Sequence, residues 1–519
     1  MFDPEGGRGG RILSAAADAI RMFSTLNLSG LGRPHFGLTS GCQRSPCSFH
    51  HPLTLTYRAA IDQMLTLADF ERKARASEPP DWHLRRMEAL LSRLGDPHLA
   101  TPVVHVAGSK GKGSTSAMAA AALAAHGIRT GLYTSPHLHR FTERIQVDGE
   151  PVPGEVFAGL VERLWPEVVG IEAEGALGRV SVFELLTAMA FVHFRDVRCG
   201  VVVIEVGLGG RLDATNLVRP HVSVITPISL DHVLVLGDTV ARIAFEKAGI
   251  IKPGAPVVTG RQEAQAKRVF DTVARERNAP LIDALAEVAL VSEAPPSEGP
   301  QRFALRGRLG EYGVQLHLLG LHQIDNARTA VAAVEQLDGR GFQISRASVE
   351  AGLSGVRWPA RAEVIVQGPP LVLADGAHND ASALALAATV KRHFPGRSPI
   401  VFIIGGTAGH DFTATARILA GTGDQVVVAQ SRHPRAVPAW DFAEALRRDK
   451  VAVAATAEDT QEALETARRL ATGPRGMVVA TGSLFVAAEV RELLMGIKPE
   501  LYPDLKGAFT QPYTAGATV

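Results

Sequence analysis

The sequence predicts an α/β protein in which parallel sheets are covered by helices, and three observations support this fold class. Short apolar runs alternate with helical segments along most of the chain. A glycine- and lysine-rich turn joins one such run to an alanine-rich helix. A break at Trp358-Pro359 separates a first set of these elements from a second set. Two α/β domains are therefore expected.

The elements of the first domain follow one another in an alternating order. Residues 1–52, rich in Gly, Ser, Arg and Pro, are interpreted as a disordered extension, and the first domain is assigned to 53–355. Strands are predicted at 102–107, 129–134, 200–206 and 221–226, and antiparallel strands within 286–320. Helices are predicted at 84–94, 115–126, 154–169, 181–195, 238–248, 323–338 and 346–354. The run 200–206 is apolar on both faces, which is typical of a buried parallel strand.

The second domain, assigned to 356–498, is expected to be Rossmann-like. Its predicted strands alternate with helices, which indicates a parallel, doubly wound sheet with ligands beyond the carboxyl ends of the strands. These strands are placed at 370–374, 400–404, 425–430 and 477–481. Residues 499–519 are interpreted as a flexible tail.

Composition limits the classes of function. The 519 residues include 46% apolar residues, enough for several buried cores, and the net charge of +1 points to neither nucleic acid nor an anionic membrane. No apolar run reaches the roughly 20 residues that span a bilayer. Three cysteines are too few for a disulfide framework and fit a reducing cytoplasm.

The turn at residues 108–114 is a candidate phosphate site. A turn of this kind leaves backbone N–H groups unpaired at the positive end of a helix dipole, which suits an anion. Lys112 adds a positive charge and Ser114 a hydroxyl group. In the usual P-loop Lys directly precedes Ser or Thr, whereas here Gly113 intervenes, so a plain glycine turn is the alternative.

Three side chains at strand ends are candidate metal ligands. Glu205 ends a fully apolar strand, His232 follows the next predicted strand, and Ser135 follows the strand at 129–134. Mg²⁺ prefers oxygen ligands, and an imidazole in the set makes Mn²⁺ a credible substitute. The alternatives are a turn carboxylate, a structural histidine and a simple turn.

Four further residues are candidates for nucleotide chemistry. In the second domain Asp375 is placed to accept hydrogen bonds from a ribose and His378 to reach phosphate, while Arg361 follows the interdomain break and is placed to reach a γ-phosphate. Lys247 lies in the last turn of a helix, where the simplest interpretation is an interaction with the helix dipole.

Many motifs of the chain resemble those of one enzyme family, from about residue 57 to 495. They are 105–114, 134–138, 143–145, Phe183-Glu184, 205–216, 230–232, 246–250, 320–323, Asn326-Ala327, 358–361 and 375–379. The chain resembles folylpolyglutamate synthase/dihydrofolate synthase of the Mur ligase superfamily. The resemblance implies an ATP-dependent ligase that phosphorylates a carboxylate and then joins L-glutamate to it. The implied substrates are dihydropteroate, folates, L-glutamate and ATP.

The resemblance also implies residue roles. It places the ATP phosphates on Ser109, Lys110, Gly111 and Lys112, and the metal on Ser135, Glu205 and His232. Adenine would meet Asn326, with Arg361 and Asp375 completing the ATP site. Lys247 matches a lysine that is carbamylated in the superfamily. The pteridine-side pocket is implied at Ser181, Val182, Phe183, Glu184, Leu212, Asp213 and Ala214.

Some positions depart from the family pattern, and two alternatives stay open. Lys110 replaces a frequent Asn, Ala360 replaces a Gly, and Gly409-His410-Asp411 stands where a Lys-Asp pair is usual. One alternative is a peptidoglycan-type Mur ligase, and the other is a nucleotide-binding regulatory protein without ligase activity. A monomer is expected, and either or both ligase activities are compatible with the motifs.

Overall fold

The computed structural model describes residues 55–67, 82–408 and 412–500, all within one compact unit that begins at Leu53. The extension predicted at 1–52, nearly all of the tail at 499–519 and the motif 409–411 lie outside these residues. We call residues 55–355 the first lobe and residues 356–500 the second lobe. Across the described ranges, every helix is too short or too polar to cross a membrane.

The first lobe is built on an eight-stranded sheet. Its strands are β1 Val103–Ala107, β2 Thr130–Tyr133, β3 Ile145–Val147, β4 Glu150–Pro151, β5 Val201–Glu205, β6 Val222–Ile225, β7 Val257–Thr259 and β8 Leu281–Asp283. Their order is β4-β3-β2-β5-β1-β6-β7-β8; the β2–β3 and β3–β4 pairs are antiparallel, and all other neighbouring pairs are parallel. Alternate residues of β5 enter opposite cores, since Val202 and Ile204 pack on one face and Val201 and Val203 on the other.

Helices cover both faces of this sheet. They are α1 Tyr57–Met64, α2 Trp82–Arg93, α3 Lys112–Ala125, α4 Gly154–Glu174, α5 Val182–Asp196, α6 Val233–Leu236, α7 Val240–Ala248, α8 Ala264–Glu276, α9 Ala284–Glu287, α10 Leu321–Leu337 and α11 Arg346–Gly355. One core joins α1, α2, α4 and α5 to the sheet, and a second joins α3, α10 and α11 to the opposite face. The predicted antiparallel strands form a three-stranded sheet: β9 Ala289–Glu293, β10 Gln301–Gly307 and β11 Gly310–Leu316.

The second lobe contains a six-stranded sheet of order β12-β13-β17-β14-β15-β16. Its strands are β12 Glu363–Val366, β13 Leu371–Ala374, β14 Ile400–Ile404, β15 Gln425–Ala429, β16 Ala455–Ala457 and β17 Met477–Thr481. Only β12, at one edge, is antiparallel. The helices are α12 Asp380–His393, α13 Phe412–Ala420, α14 Ala439–Arg448, α15 Thr460–Leu470 and α16 Leu484–Met495, and they pack on both faces, so the predicted doubly wound arrangement is confirmed.

The structure corrects several predicted limits. Helix α3 begins at Lys112 instead of residue 115, because Gly111 takes a left-handed conformation at the N-cap. Helix α7 begins at Val240 instead of residue 238, because the Thr239 hydroxyl accepts a hydrogen bond from Arg242 N and caps the helix. The elements that were not predicted are strands β3, β4, β7, β8, β12 and β16 and helices α1, α6, α8 and α9.

Candidate functional site

Four neighbouring strands of the first sheet end at one edge. Strand β1 lies between β5 and β6, and β2 lies on the other side of β5. Because parallel strands present their carboxyl ends at the same edge, the turn after β1 lies beside Glu205, Ser135 and Asp231. This edge therefore gathers the predicted phosphate and metal residues of the first lobe.

Two glycines shape the turn after β1. Gly108 and Gly111 have φ angles of 148° and 84°, which residues with a side chain rarely adopt. A Cβ atom on Gly108 would lie 1.8 Å from Oγ1 of Thr226, the residue that follows β6. Glycine is thus required both by the backbone conformation and by the close approach of the neighbouring strand.

The N–H groups of this turn fall into two sets. Those of Ser109 and Lys110 donate to the carbonyl oxygen of Pro227 at 3.0 and 3.2 Å, which corrects the expectation that the whole turn leaves its N–H groups unpaired. The N–H groups of residues 112–114 precede the first hydrogen bond of α3, which Thr115 donates. A helix N-terminus attracts anions, so these three groups are the part of the turn that could bind an anion.

Two lysines bring positive charge to the turn, and each has an acidic neighbour. Lys112 Nζ lies 3.8 Å from Glu205 Oε1, and Lys110 Nζ lies 2.8 Å from Asp231 Oδ2. Burial lowers the pKa of Lys110, although Asp231 opposes that shift. Burial alone would raise the pKa of Asp231, but Lys110 and His232 outweigh it and hold that pKa below its usual value. Each lysine of the turn therefore lies beside a carboxylate.

The predicted metal ligands provide an incomplete set of the kind that Mg²⁺ uses with a phosphate ligand. Burial raises the pKa of Glu205, with Lys112 opposing, and the N–H of Ser135 donates to Glu205 Oε2 at 3.3 Å. His232 is half exposed on the loop after β6. Within 55–67, 82–408 and 412–500, no three His, Cys, Asp or Glu side chains gather into a metal site of their own. One carboxylate with a hydroxyl fits Mg²⁺, which completes its shell with waters and substrate phosphates.

Lys247 of α7 is almost fully buried, with 4% of its surface exposed. Burial and the neighbouring Lys112 lower its pKa to about 7, while Asp231 and Asp213 act in the opposite direction. A Cβ atom on Gly210 would lie 3.1 Å from Lys247 Cα, so the turn after β5 packs directly on α7. The lysine thus belongs to the same charged cluster, and its burial favours the neutral amine far more than exposure would.

Two side chains cover the start of α3. The Asn326 amide, at the start of α10, donates to Gln323 Oε1 at 3.0 Å, and its Oδ1 would lie 2.4 Å from a Cβ atom on Gly111. The indole Nε1 of Trp358 would lie 3.1 Å from a Cβ atom on Gly113. The predicted adenine-contacting residue therefore does lie beside the phosphate turn.

The second lobe contributes Arg361, Asp375 and His378. Arg361 lies near enough for its charge to influence the pKa values of Lys110 and Glu205 in the first lobe. Asp375 accepts hydrogen bonds at 2.8 Å from the N–H groups of residues 362 and 377, and burial raises its pKa although Arg361 opposes that shift. His378 Nδ1 donates to the carbonyl oxygen of residue 376 at 2.8 Å, and its charge lowers the pKa of Asp231. Both lobes therefore face one charged cleft.

The predicted pocket segment 181–184 is mostly buried. Glu184 accepts from the Ser181 N–H at 2.7 Å and from Arg86 Nε at 3.0 Å, so its carboxylate is bound within the protein. Burial raises its pKa, but hydrogen bonds from His83 and Arg86 outweigh that effect and lower it. Phe183 is partly exposed, and Gly207 gives its ring the space it occupies, since a Cβ there would lie 2.5 Å from Cζ.

The second predicted pocket segment, 212–214, behaves in the same way. Asp213 is buried and accepts from the N–H of Leu208 at 2.9 Å and from Oγ1 of Thr215 at 2.6 Å. Burial raises the pKa of Asp213, and these donors oppose that shift. Ala214 is buried, whereas Leu212 is partly exposed. Across both segments Phe183 and Leu212 are thus the side chains with surface to offer a ligand.

Sequence reasoning missed three residues of this site, although each had a local signal. Asp231 directly precedes His232 in an acidic position after a strand, yet only the histidine was selected. Trp358 was interpreted as a boundary and as part of the family motif 358–361, without a role in the site. Glu363, two residues after Arg361, accepts a hydrogen bond from Ala360 N at 2.8 Å and so supports the arginine's backbone.

Comparison with known sequences gives two matches of different extent. Residues 360–484 match the family described as Mur ligase, glutamate ligase domain. A dihydrofolate synthase/folylpolyglutamate synthase of Bacillus subtilis is 33% identical over 414 residues, which cover 79% of this chain and 94% of that protein. The similarity therefore extends through both lobes.

Solved structures share the same architecture. Mycobacterium tuberculosis folylpolyglutamate synthase complexed with ADP has a TM-score of 0.77 at 35% identity, covering 86% of this chain and all (100%) of that chain. An FPGS–AMPPCP–folate complex has a TM-score of 0.74 at 30% identity, covering 85% of this chain and 100% of that chain. The predicted fold class, with a P-loop-type first lobe and a Rossmann-like second lobe, is confirmed.

Proposed function

The chain belongs to the folylpolyglutamate synthase/dihydrofolate synthase family of ATP-dependent ligases, and we propose that it joins L-glutamate to dihydropteroate, to the glutamate of a folate, or to both. The observation that carries this proposal is the convergence of Arg361 from the second lobe on Lys110 and Glu205 of the first. A nucleotide phosphate bound between the lobes would lie next to cations from both.

The reaction has two chemical steps. A carboxylate oxygen of the pterin substrate attacks the γ-phosphorus of ATP, the bond to the bridging oxygen breaks, and ADP leaves with an acyl phosphate formed. The amine of L-glutamate then attacks the acyl carbon, phosphate leaves with the bonding electrons, and the amine loses a proton to form the amide. Activation is needed because a carboxylate is a poor electrophile. The protein's contribution is positioning and charge stabilisation.

The phosphate turn and Arg361 are assigned to ATP. The N–H groups of residues 112–114 and the Lys112 ammonium would bind the phosphates, with Ser109 and Lys110 shaping the turn. Asn326 would contact adenine and Asp375 the ribose, while His378 would act at the phosphate end. The buried environment supports this assignment, because charges act more strongly where water is excluded.

Glu205, Ser135 and His232 are assigned to the metal, which would be Mg²⁺ with Mn²⁺ as a substitute. Bound there, the ion would neutralise phosphate charge. Lys247 would be carbamylated by CO₂, which converts a buried cation into an anionic oxygen group. Its pKa of about 7 supports this proposal, because only the neutral amine reacts.

The pteridine side is assigned to 181–184 and 212–214. The exposed parts of Phe183 and Leu212 support a flat aromatic ligand, since aromatic rings stack favourably. Ser181, Val182, Glu184, Asp213 and Ala214 would hold that surface in place from beneath. We further propose domain limits at 53–355 and 356–498, and a cytoplasmic monomer as the working form.

The test is ADP release by the purified full chain with Mg²⁺ and ATP. Dihydropteroate and tetrahydrofolate are supplied as alternative acceptors, each with and without L-glutamate. We expect ADP release to depend on acceptor and glutamate together, and the product mass to show one added glutamate. ATP hydrolysis that ignores both would favour a nucleotide-binding regulatory protein, and no reaction with either acceptor would overturn the proposal.

A further inference from the structure

The segment that follows Ser135 is held in a fixed shape by its own residues. The carboxylate of Glu143 accepts hydrogen bonds from the N–H groups of Leu138, His139 and Arg140 at 2.8, 3.0 and 2.9 Å. This turn continues the chain from Ser135, whose N–H donates to Glu205.

His139 extends from this turn into the second lobe. Its Nδ1 lies 3.0 Å from Glu492 Oε1, and its Nε2 contacts Nη1 of Arg491, both on α16. The imidazole is 7% exposed, and the two α16 side chains are similarly buried. Polar contacts that are shielded from water in this way hold their geometry well.

The contact continues to the nucleotide site through two further residues. Arg491 Nε lies 2.7 Å from Glu363 Oε2, and the same oxygen accepts the N–H of Ala360 at 2.8 Å. Ala360 is the peptide neighbour of Arg361 and has a left-handed φ of 54°, so its backbone depends on support from outside. Leu138 of the Ser135 turn packs in the same small apolar cluster as Ala360.

On the basis of the proposed function, we propose that His139, Arg491 and Glu363 form an interlobe relay that positions Arg361 for the γ-phosphate relative to the metal turn at Ser135. All three are positioning residues, since none of them needs to touch a substrate. Each of the two carboxylates between the lobes has an arginine partner, since Glu363 pairs with Arg491 and Glu492 pairs with Arg432. Removal of one relay residue leaves its buried charged partner without a contact. We therefore expect the backbone around that partner to shift.

The relay is tested by comparing the affinities of AMPPCP and ADP, measured by calorimetry with Mg²⁺ on the full chain. AMPPCP carries the γ-phosphate that Arg361 would contact, and ADP lacks it. We expect His139→Ala to weaken AMPPCP binding roughly tenfold and ADP binding by less than about twofold, the size expected for one hydrogen bond to a charged group. His139→Gln, which keeps polar atoms in place, should restore part of the loss.

The matched control is Arg392→Ala. Arg392 of α12 contacts Glu293 of β9, which is also an ion pair between the lobes, but it has no part in the relay. This variant should leave both affinities unchanged. A double variant, His139→Ala with Glu363→Gln, should lose little more than either single variant, because the relay acts as one unit.

The outcomes separate the relay from the ligase assignment. The relay alone would be overturned if the wild-type chain binds AMPPCP and His139→Ala lowers the affinities for AMPPCP and ADP equally. The same holds if His139→Ala lowers neither affinity. Strictly additive losses in the double variant would do the same. A wild-type chain that binds neither nucleotide would overturn the proposed function as well. If His139→Ala does not fold, the same comparison is made with His139→Gln and Arg491→Gln. The relay is contradicted if both of these variants leave the ratio of AMPPCP to ADP affinity unchanged.

Discussion

Lys247 shows how the environment of one residue changes its chemistry. An exposed lysine has a pKa near 10.4 and is almost entirely charged at neutral pH. Here burial and Lys112 lower the pKa to about 7. The unfolded chain binds this proton up to higher pH than the folded chain. The cost of burying the charge is therefore fully present below pH 7 and is lost as the pH rises from 7 toward 10.

This shift leads to a prediction about carbamylation. The lone pair of the neutral amine attacks the carbon of CO₂, an N–C bond forms, and one proton leaves to solvent. We expect enzyme depleted of CO₂ to lose ligase activity and to regain it with bicarbonate, to a greater extent as the pH rises through 7. Activity against bicarbonate concentration at several pH values is the measurement. Activity that is independent of bicarbonate in depleted enzyme would contradict the carbamate.

A second lysine provides the control. Lys252 also has a pKa lowered by burial, to about 8, but its Nζ donates to the carbonyl oxygen of Asn216 at 2.9 Å. Lys247→Ala should lose activity and be partly rescued by acetate, which replaces the anionic oxygens. Lys252→Ala should show no rescue. Equal rescue of both variants would indicate a general salt effect.

The sequence identifies candidate site residues where they directly follow or end a predicted strand. Glu205 was selected because it ends a fully apolar strand, and the structure places it beside the phosphate turn. The pairing of Lys110 with Asp231 was not predicted, because the two are 121 positions apart and nothing in either local pattern specifies the other. The internal hydrogen bonds of Glu184 were missed for the same reason, since one donor, Arg86, lies on a different helix.

Helix α3 shows the same limit at the level of an element. Its start depends on Gly111, which takes a left-handed conformation at the N-cap with a φ of 84°. Ala at that position would place its Cβ 2.4 Å from Asn326 Oδ1. The helix start and the adenine-side residue are therefore coupled.

We predict that Gly111→Ala weakens nucleotide binding at least about tenfold, because the turn has to move away from Asn326. Gly127→Ala is the matched control. Gly127 has nearly the same φ, 86°, but a Cβ atom there meets nothing within 4 Å. Both variants should lose roughly 1 kcal/mol of stability from the left-handed backbone.

Calorimetric nucleotide titrations and thermal unfolding measure the two effects separately. The prediction fails if Gly127→Ala loses as much nucleotide affinity as Gly111→Ala. Such a result would mean that the contact between residue 111 and Asn326 does not determine how tightly the chain binds nucleotide.

Elements with strong local patterns were predicted, and those defined by their neighbours were not. The continuous apolar runs of β5, β14 and β17 are buried along their whole length, as expected of central parallel strands. Strand β12 is half exposed at an edge and antiparallel, and β16 has three residues, so neither has a distinctive pattern. Helix α6 has four residues, too few for a helical period to appear.

At the scale of the whole molecule, the site is made by contacts that the sequence places far apart. His139 and Glu492 are separated by 353 positions, yet they join the two lobes. Family motifs identified both halves of the site, but the physical connection between them depends on how α16 lies against the Ser135 turn. Only the three-dimensional arrangement contains that information.

Trp358 offers a direct signal of nucleotide binding across the two lobes. Trp358 lies in the segment that links the lobes, and its indole packs against Gly113 at the start of α3. We predict that Mg²⁺ with AMPPCP changes the tryptophan fluorescence of the chain and that Trp358→Phe removes most of the change. The sequence contains four tryptophans, and Trp440, 62% exposed in the second lobe, is the control: Trp440→Phe should keep the change. Calorimetry should show that both variants still bind. A fluorescence change that persists in Trp358→Phe would mean that the phosphate turn and the link between the lobes respond to nucleotide separately.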